Sequence, residues 1–157
     1  MFPVSSSPLP LVAGAADTTF ASDCRFRVTV GPSALGTFAT CDGLGCTVEY
    51  EERREGGVND HVWKLPSRVV YSNVVLTRPV GRSSPLVWAW IAAQVHRRIP
   101  LPGEIAVLDE TGRPLVRWAL IGVLPVRWSG PSLSAASSAV ATETLEIAHQ
   151  GFIEVAL

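Results

Sequence analysis

A chain of 157 residues is long enough for one domain with a sizeable core, so neither disulfides nor a structural metal are needed to hold it. With 47% hydrophobic residues it is not a disordered polypeptide, and with a net charge of −1 it lacks the basic excess that drives unspecific nucleic-acid binding. Three cysteines, an odd number, indicate reduced thiols and a cytoplasmic protein.

Residues 1–22 are rich in Pro, Ser and Ala and contain no Lys or Arg. Pro3, Pro8 and Pro10 interrupt any apolar core, so a secretory signal is not expected there, and the segment reads as a flexible arm or as one that orders on a neighbour. No run reaches the ~18 apolar residues of a membrane span, so membrane insertion is not expected. Residues 23–157 are expected to form the folded domain. Its first strand starts at Arg25, where Phe26, Val28 and Val30 alternate with Arg25, Arg27 and Thr29 until Gly31-Pro32. Leu35 to Cys41 reads as a second strand. An Asp42-Gly43 turn leads to a third, Cys46 to Glu52, and three strands with short links suggest an antiparallel meander. On the third strand Cys46, Val48 and Tyr50 lie on one face and Thr47, Glu49 and Glu51 on the other.

The next strand, Arg68 to Arg78, is separated from Glu52 by about fifteen residues, far more than a hairpin loop needs. These residues include Arg53, Arg54, Glu55, Gly56-Gly57, Asp60, Trp63, Lys64 and Leu65. A disordered linker seldom carries a Trp. The spacing predicts an ordered protrusion whose Trp63 and Leu65 bury against another surface, ringed by charges of both signs.

Ser83-Ser84-Pro85 reads as a helix start, with a Ser cap and Pro in the first turn. The helix is expected to run to about Arg97, with Leu86, Val87, Trp90, Ile91 and Ala93 turned inward. Trp88 and Trp90 point to different sides. One should enter the core and the other meet a neighbour, unless both pack in a thick helix–sheet contact. Gln94, Arg97 and Arg98 close the helix, where cations complement its dipole, and Pro100 and Pro102 prevent continuation.

Glu104 to Leu108 and Leu115 to Leu120 read as a hairpin across Asp109 to Arg113. Val123 to Trp128 reads as a further strand, at an edge or bulge because of Pro125. The last strand, Val140 to His149, puts Thr142, Thr144 and Glu146 on one face and Glu143, Leu145 and Ile147 on the other. The expected fold is mostly β: a small antiparallel β-barrel or sandwich of about eight strands with one flanking α-helix and a long extended loop.

Nothing in this pattern carries catalysis. The chain has no Gly-x-Ser-x-Gly elbow and no phosphate-binding glycine loop. Glu51, Glu52, Glu55, Asp60 and His61 stand among arginines with no apolar pocket to shift them, so an ion-pair cluster is expected. Cys41 and Cys46 lack a second pair for zinc, and the histidines are scattered, so no metal or cofactor is expected. The polar rows Thr47, Glu49, Glu51 and Thr142, Thr144, Glu146 are alike in type. In a ring of subunits such faces would line a hydrated channel, and ring closure would cover the edge strands.

One run, Glu52-x-Arg54-Glu55-Gly56-Gly57-x-Asn59-Asp60 followed by Lys64-Leu65-Pro66, resembles the tail-tube proteins of contractile phages and phage-like contractile injection systems. The resemblance continues in Trp88-x-Trp90 and in Leu108-Asp109-Glu110-x-Gly112-x-Pro114. It recurs in Pro125-Val126-Arg127-Trp128-Ser129-Gly130-Pro131 and in Glu143-x-Leu145-Glu146-Ile147-Ala148-His149-x-Gly151, so it covers residues 25–152. It implies a β-barrel flanked by one helix, closed into homohexameric rings that stack as an inner tube. The partners implied are copies of the chain, a sheath protein, baseplate and tail-terminating proteins and a lumen cargo, with no nucleic-acid specificity. On this expectation Arg53, Arg54, Glu55, Asp60, Trp63, Lys64 and Leu65 lie between stacked rings. Thr47, Glu49, Glu51, Thr142, Thr144 and Glu146 face the lumen, and Gln94, Arg97 and Arg98 face the sheath. Assembly is expected in the cytoplasm, with release by lysis. Two other readings remain: a tube-initiating baseplate adaptor, and a type VI-like ring that carries effectors.

Overall fold

A computed structural model describes residues 24–54, 56–57, 62–132, 134–136 and 138–155. The expected N-terminal arm over 1–22, together with Glu55 and Asp60, lies outside these residues. Among the described residues the chain forms ten strands and a single helix.

β1 (Arg25–Val30) pairs antiparallel with β2 (Ser33–Phe38) on one side and β7 (Leu101–Leu108) on the other. β7 continues through a hairpin into β8 (Pro114–Ser129), whose first half also pairs with β10 (Gly151–Val155). The second half of β8 pairs with β9 (Thr142–Ala148), β9 with β6 (Val74–Pro79), and β6 with β3 (Thr40–Asp42).

The two strands expected at 115–120 and 123–128 are therefore one 16-residue strand that serves two layers. Gly122 makes the corner: its φ is +62°, in the left-handed region that favours glycine, and an added Cβ would stand 3.1 Å from the Gln150 side chain. Pro125 has no N–H to give the ladder, and a bulge between Pro125 and Arg127 absorbs the defect. The expected second strand, Leu35 to Cys41, is broken at Ala39 into β2 and β3. The Ala39 N–H donates to the Thr77 carbonyl at 2.9 Å. Residues 33–42 thus run from one end of the strand order to the other, and the body is sandwich-like without closing as a barrel. The expected three-strand meander is not formed either. β4 (Cys46–Arg53) leaves the main sheet and pairs with β5 (Trp63–Tyr71) as a separate ribbon.

Alternation in β1, β6 and β9 sends every second residue inward, which builds the core. Val28, Leu35, Phe38, Leu76, Ile105, Leu120, Leu145 and Ile147 are all buried there. Each such side chain contributes roughly 1.5–3 kcal/mol. The helix α1 (Ser84–Arg97) packs over β2 and β8. It buries Val87, Trp90 and Gln94, not Leu86 and Ala93 as expected. Ser83 makes no side-chain cap, and the Gly81 N–H instead donates to Ser84 Oγ at 3.1 Å. At the other end no glycine follows the helix, so Arg98 takes the left-handed conformation itself, with φ 54°, and its N–H donates to the Gln94 carbonyl at 2.9 Å.

Candidate assembly surfaces

β3, β6, β9 and the second half of β8 form one four-stranded layer whose outer face is polar. The register aligns Thr40, Thr77, Thr144 and Ser129 in one cross-strand row. The next row contains Asp42, Val75, Glu146 and Arg127. Thr77 and Thr144 hydroxyls lie 3.4 Å apart, and Asn73 Nδ2 donates to Glu146 Oε1 at 2.8 Å. Period-2 alternation along β9 keeps Thr142, Thr144 and Glu146 on this wet face while Glu143, Leu145 and Ile147 point inward. Thr47, Glu49 and Glu51 do not share it. They lie on β4, in the ribbon, so the expectation of one sheet bearing both polar rows is corrected. Alternation reports which residues share a face of one strand; which strands become neighbours is a matter of long-range pairing.

The ribbon is exposed along nearly its whole length. Arg53 pairs with Trp63 across it, Glu52 with Lys64 and Glu51 with Leu65. Trp63 is 54% exposed and Leu65, Val48, Tyr50, Val69 and Val70 are exposed beside it. Lys64 Nζ stands 4.8 Å from the Tyr50 ring centre, and Arg68 forms an ion pair with Glu49. The five described members of the expected contact set, Arg53, Arg54, Trp63, Lys64 and Leu65, are thus brought together at the distal end. At the ribbon's root the Tyr71 ring lies tilted against His149 and edge-to-face with Phe152, with ring centres 5.7 Å away in both cases.

On α1, Trp90 is buried and Trp88 is 60% exposed, its ring 6.1 Å from that of Trp128. Arg97 and Arg98 are exposed. Gln94 is not: it is 4% exposed, and its Nε2 donates to the Ile99 carbonyl just past the helix. Its amide closes the helix end, so the Gln94 side chain is not on the exposed surface that Arg97 and Arg98 occupy.

A buried ion pair lies beneath these surfaces. Arg78 is 4% exposed and Glu143 1%, and Arg78 Nε donates to Glu143 Oε1 at 2.5 Å. Nη1 donates to the Leu35 carbonyl at 2.7 Å and Nη2 to the Ser83 carbonyl at 2.9 Å. Trp128 Nε1 donates to the second Glu143 oxygen at 3.1 Å. The guanidinium also lies 4.4 Å from the Phe38 ring centre. Gly36 leaves room for it, since a Cβ there would stand 2.9 Å from Nη1. Burial pushes the Glu143 carboxyl up, but hydrogen bonds from Arg78, Ser84 and Trp128 and the Arg78 charge outweigh it, and the group sits below its ordinary value. One pair thus ties β2, β6, β8, β9 and the start of α1 together. The signal for it was a carboxylate at the head of the inward row of β9, in line with Leu145 and Ile147.

Chemically, these surfaces suit binding. Among the described residues no group of three or more His, Cys, Asp or Glu side chains is placed to hold a metal. Burial and then the Asp42 charge push the Cys41 thiol up to about 11, which keeps it protonated and inert.

A family model, T4-like virus tail tube protein gp19, matches residues 22–153. No curated protein sequence matches. Among solved structures, the chain is similar to one in the baseplate of the anti-feeding prophage, with 27% identity, TM-score 0.67, and 96% of this chain and 97% of that chain covered. It is similar in fold to one in the sheath–tube complex of an extracellular contractile injection system in the extended state, with 22% identity, TM-score 0.75, and 95% and 100% covered. A type six secretion system protein shares the fold more distantly, with 8% identity, TM-score 0.57, and 83% and 82% covered.

Proposed function

The chain belongs to the T4-like virus tail tube protein gp19 family, and we propose that its copies close homohexameric rings which stack into the inner tube of a contractile phage tail or phage-like contractile injection system. The observation that carries this is the polar outer face of the β3-β6-β9-β8 layer between two open edges. Among the described residues β3 pairs on one side alone, with β6, and residues 124–129 of β8 pair with β9 alone. Open edges are a liability unless another strand covers them. Edge-to-edge pairing between copies covers both and joins the hydroxyl rows into one hydrated wall, the form a closing head-to-tail contact produces.

On this reading Thr142, Thr144 and Glu146 face the channel together with Thr40, Thr77, Arg127 and Ser129, and a cargo slides past a mostly polar wall. Trp63 and Leu65, with Arg53, Arg54 and Lys64 around them, make the axial contact to the next ring. Arg97 and Arg98 are available to a surrounding sheath, and baseplate and tail-terminating proteins meet the tube ends. The role is structural and not enzymatic, and assembly takes place in the cytoplasm. Similarity to a chain of a baseplate structure favours one second reading, a tube-initiating adaptor present in few copies. Light scattering and negative-stain electron microscopy of the purified protein test both. Hexamer-sized rings that elongate into tubes are expected. Rings that never elongate favour the adaptor, and a monomer at high concentration overturns the ring.

A further inference from the structure

Among the described residues two largely apolar surfaces are uncovered. The first is the ribbon. Its register sets Val48 beside Val69 and Tyr50 beside Pro66, so these four residues form one apolar strip. A two-stranded hairpin with neither a third strand nor a helix against it is marginal in water. The second surface is the outward face of α1. Pro85, Trp88, Ala89, Ala92, Val95 and His96 are exposed there and fall within about 120° of one another around the helix. A surface helix ordinarily carries charged side chains on that face. Here no residue from Ser84 to Val95 is ionisable, and Val95 is 63% exposed.

We infer that in the assembly the ribbon of one copy lies along the outward face of α1 in an adjacent copy. This contact presupposes the stacked rings proposed above and names the surface that receives the ribbon. Among the described residues β4 and β5 pair with each other and join no other sheet, and a second copy is the cover assigned here. The lengths agree. The eight- and nine-residue strands span ~27–30 Å and the 14-residue helix ~21 Å. The shapes agree too, because Ala89 and Ala92 leave a shallow crest that a strand can approach, while Trp88 leans toward Trp128 on one flank. Charge sets the direction. The helix contains no acid, and its ionisable side chains, His96 and Arg97, come at one end. Glu52, on the same face of β4 as Val48 and Tyr50, stands toward the distal end, so it falls at the His96–Arg97 end of the helix when the apolar strip covers the alanines.

The test replaces Trp88 by the photoreactive p-benzoylphenylalanine in the full chain and assembles it from a mixture of unlabelled and isotope-labelled protein. Irradiation should give mixed-label cross-links from position 88 to peptides within 46–53 or 63–71. A second variant, Ala92→Arg, puts a charge on the exposed crest. Its melting temperature as a subunit should not change, while tube elongation falls at least tenfold at equal protein concentration. Cross-links from position 88 to β8, β10 or residues 1–22 overturn the inference, as does assembly with no inter-chain cross-link or full elongation of Ala92→Arg. Rings or tubes with position 88 joined elsewhere remove this contact alone. An unmodified chain that forms no rings removes the tube reading, and this contact with it.

Discussion

Replacing Glu143 by Ala removes the carboxylate and leaves the Arg78 guanidinium, 4% exposed, without a counter-charge. Two of its hydrogen bonds survive, to the Leu35 and Ser83 carbonyls, but Nε loses its acceptor. Trp128 Nε1 loses its acceptor as well, though its ring is partly exposed and water can replace that bond. Removing one partner of a buried pair costs about 3–5 kcal/mol, a large share of a total of about 5–15 kcal/mol. For a domain of this size that corresponds to a fall of ~6–20 °C in melting temperature. Urea denaturation at neutral pH, followed by tryptophan fluorescence and circular dichroism, measures it. The double variant Arg78→Met with Glu143→Leu removes both charges and keeps the volume, so it should recover most of the loss. A Glu143→Ala variant that loses less than about 1 kcal/mol would refute the pair as the tie between the two layers and the helix.

The same pair predicts a pH dependence. Because the Glu143 carboxyl lies lower in the folded chain than in the unfolded one, its stabilisation is complete above the ordinary carboxylate range and is lost as pH falls through and below it. Urea midpoints taken from about pH 7 to about pH 3 should fall more steeply for the natural chain than for Glu143→Gln, and parallel curves would contradict this. Trp63→Ala should leave the subunit's melting temperature unchanged, because the ring is half-exposed, yet abolish elongation of rings into tubes; a large thermal loss would place Trp63 in the subunit's own fold. Charge reversal at Arg97 and Arg98 together should weaken co-assembly with a sheath protein, scored by co-sedimentation, and leave ring formation intact. Unchanged co-sedimentation would move the sheath contact elsewhere.

Local features of this fold were legible from residue order. α1 was bounded correctly at Ser84 and Arg97 because Pro85 and Pro100 restrict the backbone wherever they occur. The inward and outward rows of β1 and β9 followed from alternation, which is a property of the strand itself. The inward face of α1 was legible in part. Val87 and Trp90 belong to the apolar set that the spacing predicts, but Gln94 is expected at the surface with Arg97 and Arg98 at the helix end. Its buried position depends on the Ile99 carbonyl lying within reach, and that follows from how the chain turns at Arg98.

Pairing and exposure between distant segments belong to the tertiary structure. β4 reads as the third strand of a meander, yet it leaves the sheet, because β6 takes β3 as its partner and β9 fills the other side. β8 reads as two strands because Gly122 and Pro125 look like a break, and long-range partners on both halves keep it one. The sequence by itself determined periodicity, turns, helix limits and the family pattern, since each rests on backbone preferences over a few residues. Only the tertiary structure decided that Arg78 meets Glu143, that Thr40, Thr77, Thr144 and Ser129 form one row, and that the ribbon and the outer face of α1 are exposed among the described residues. Those are meetings of segments up to about a hundred residues apart, chosen by the burial of a shared core and not by any local preference.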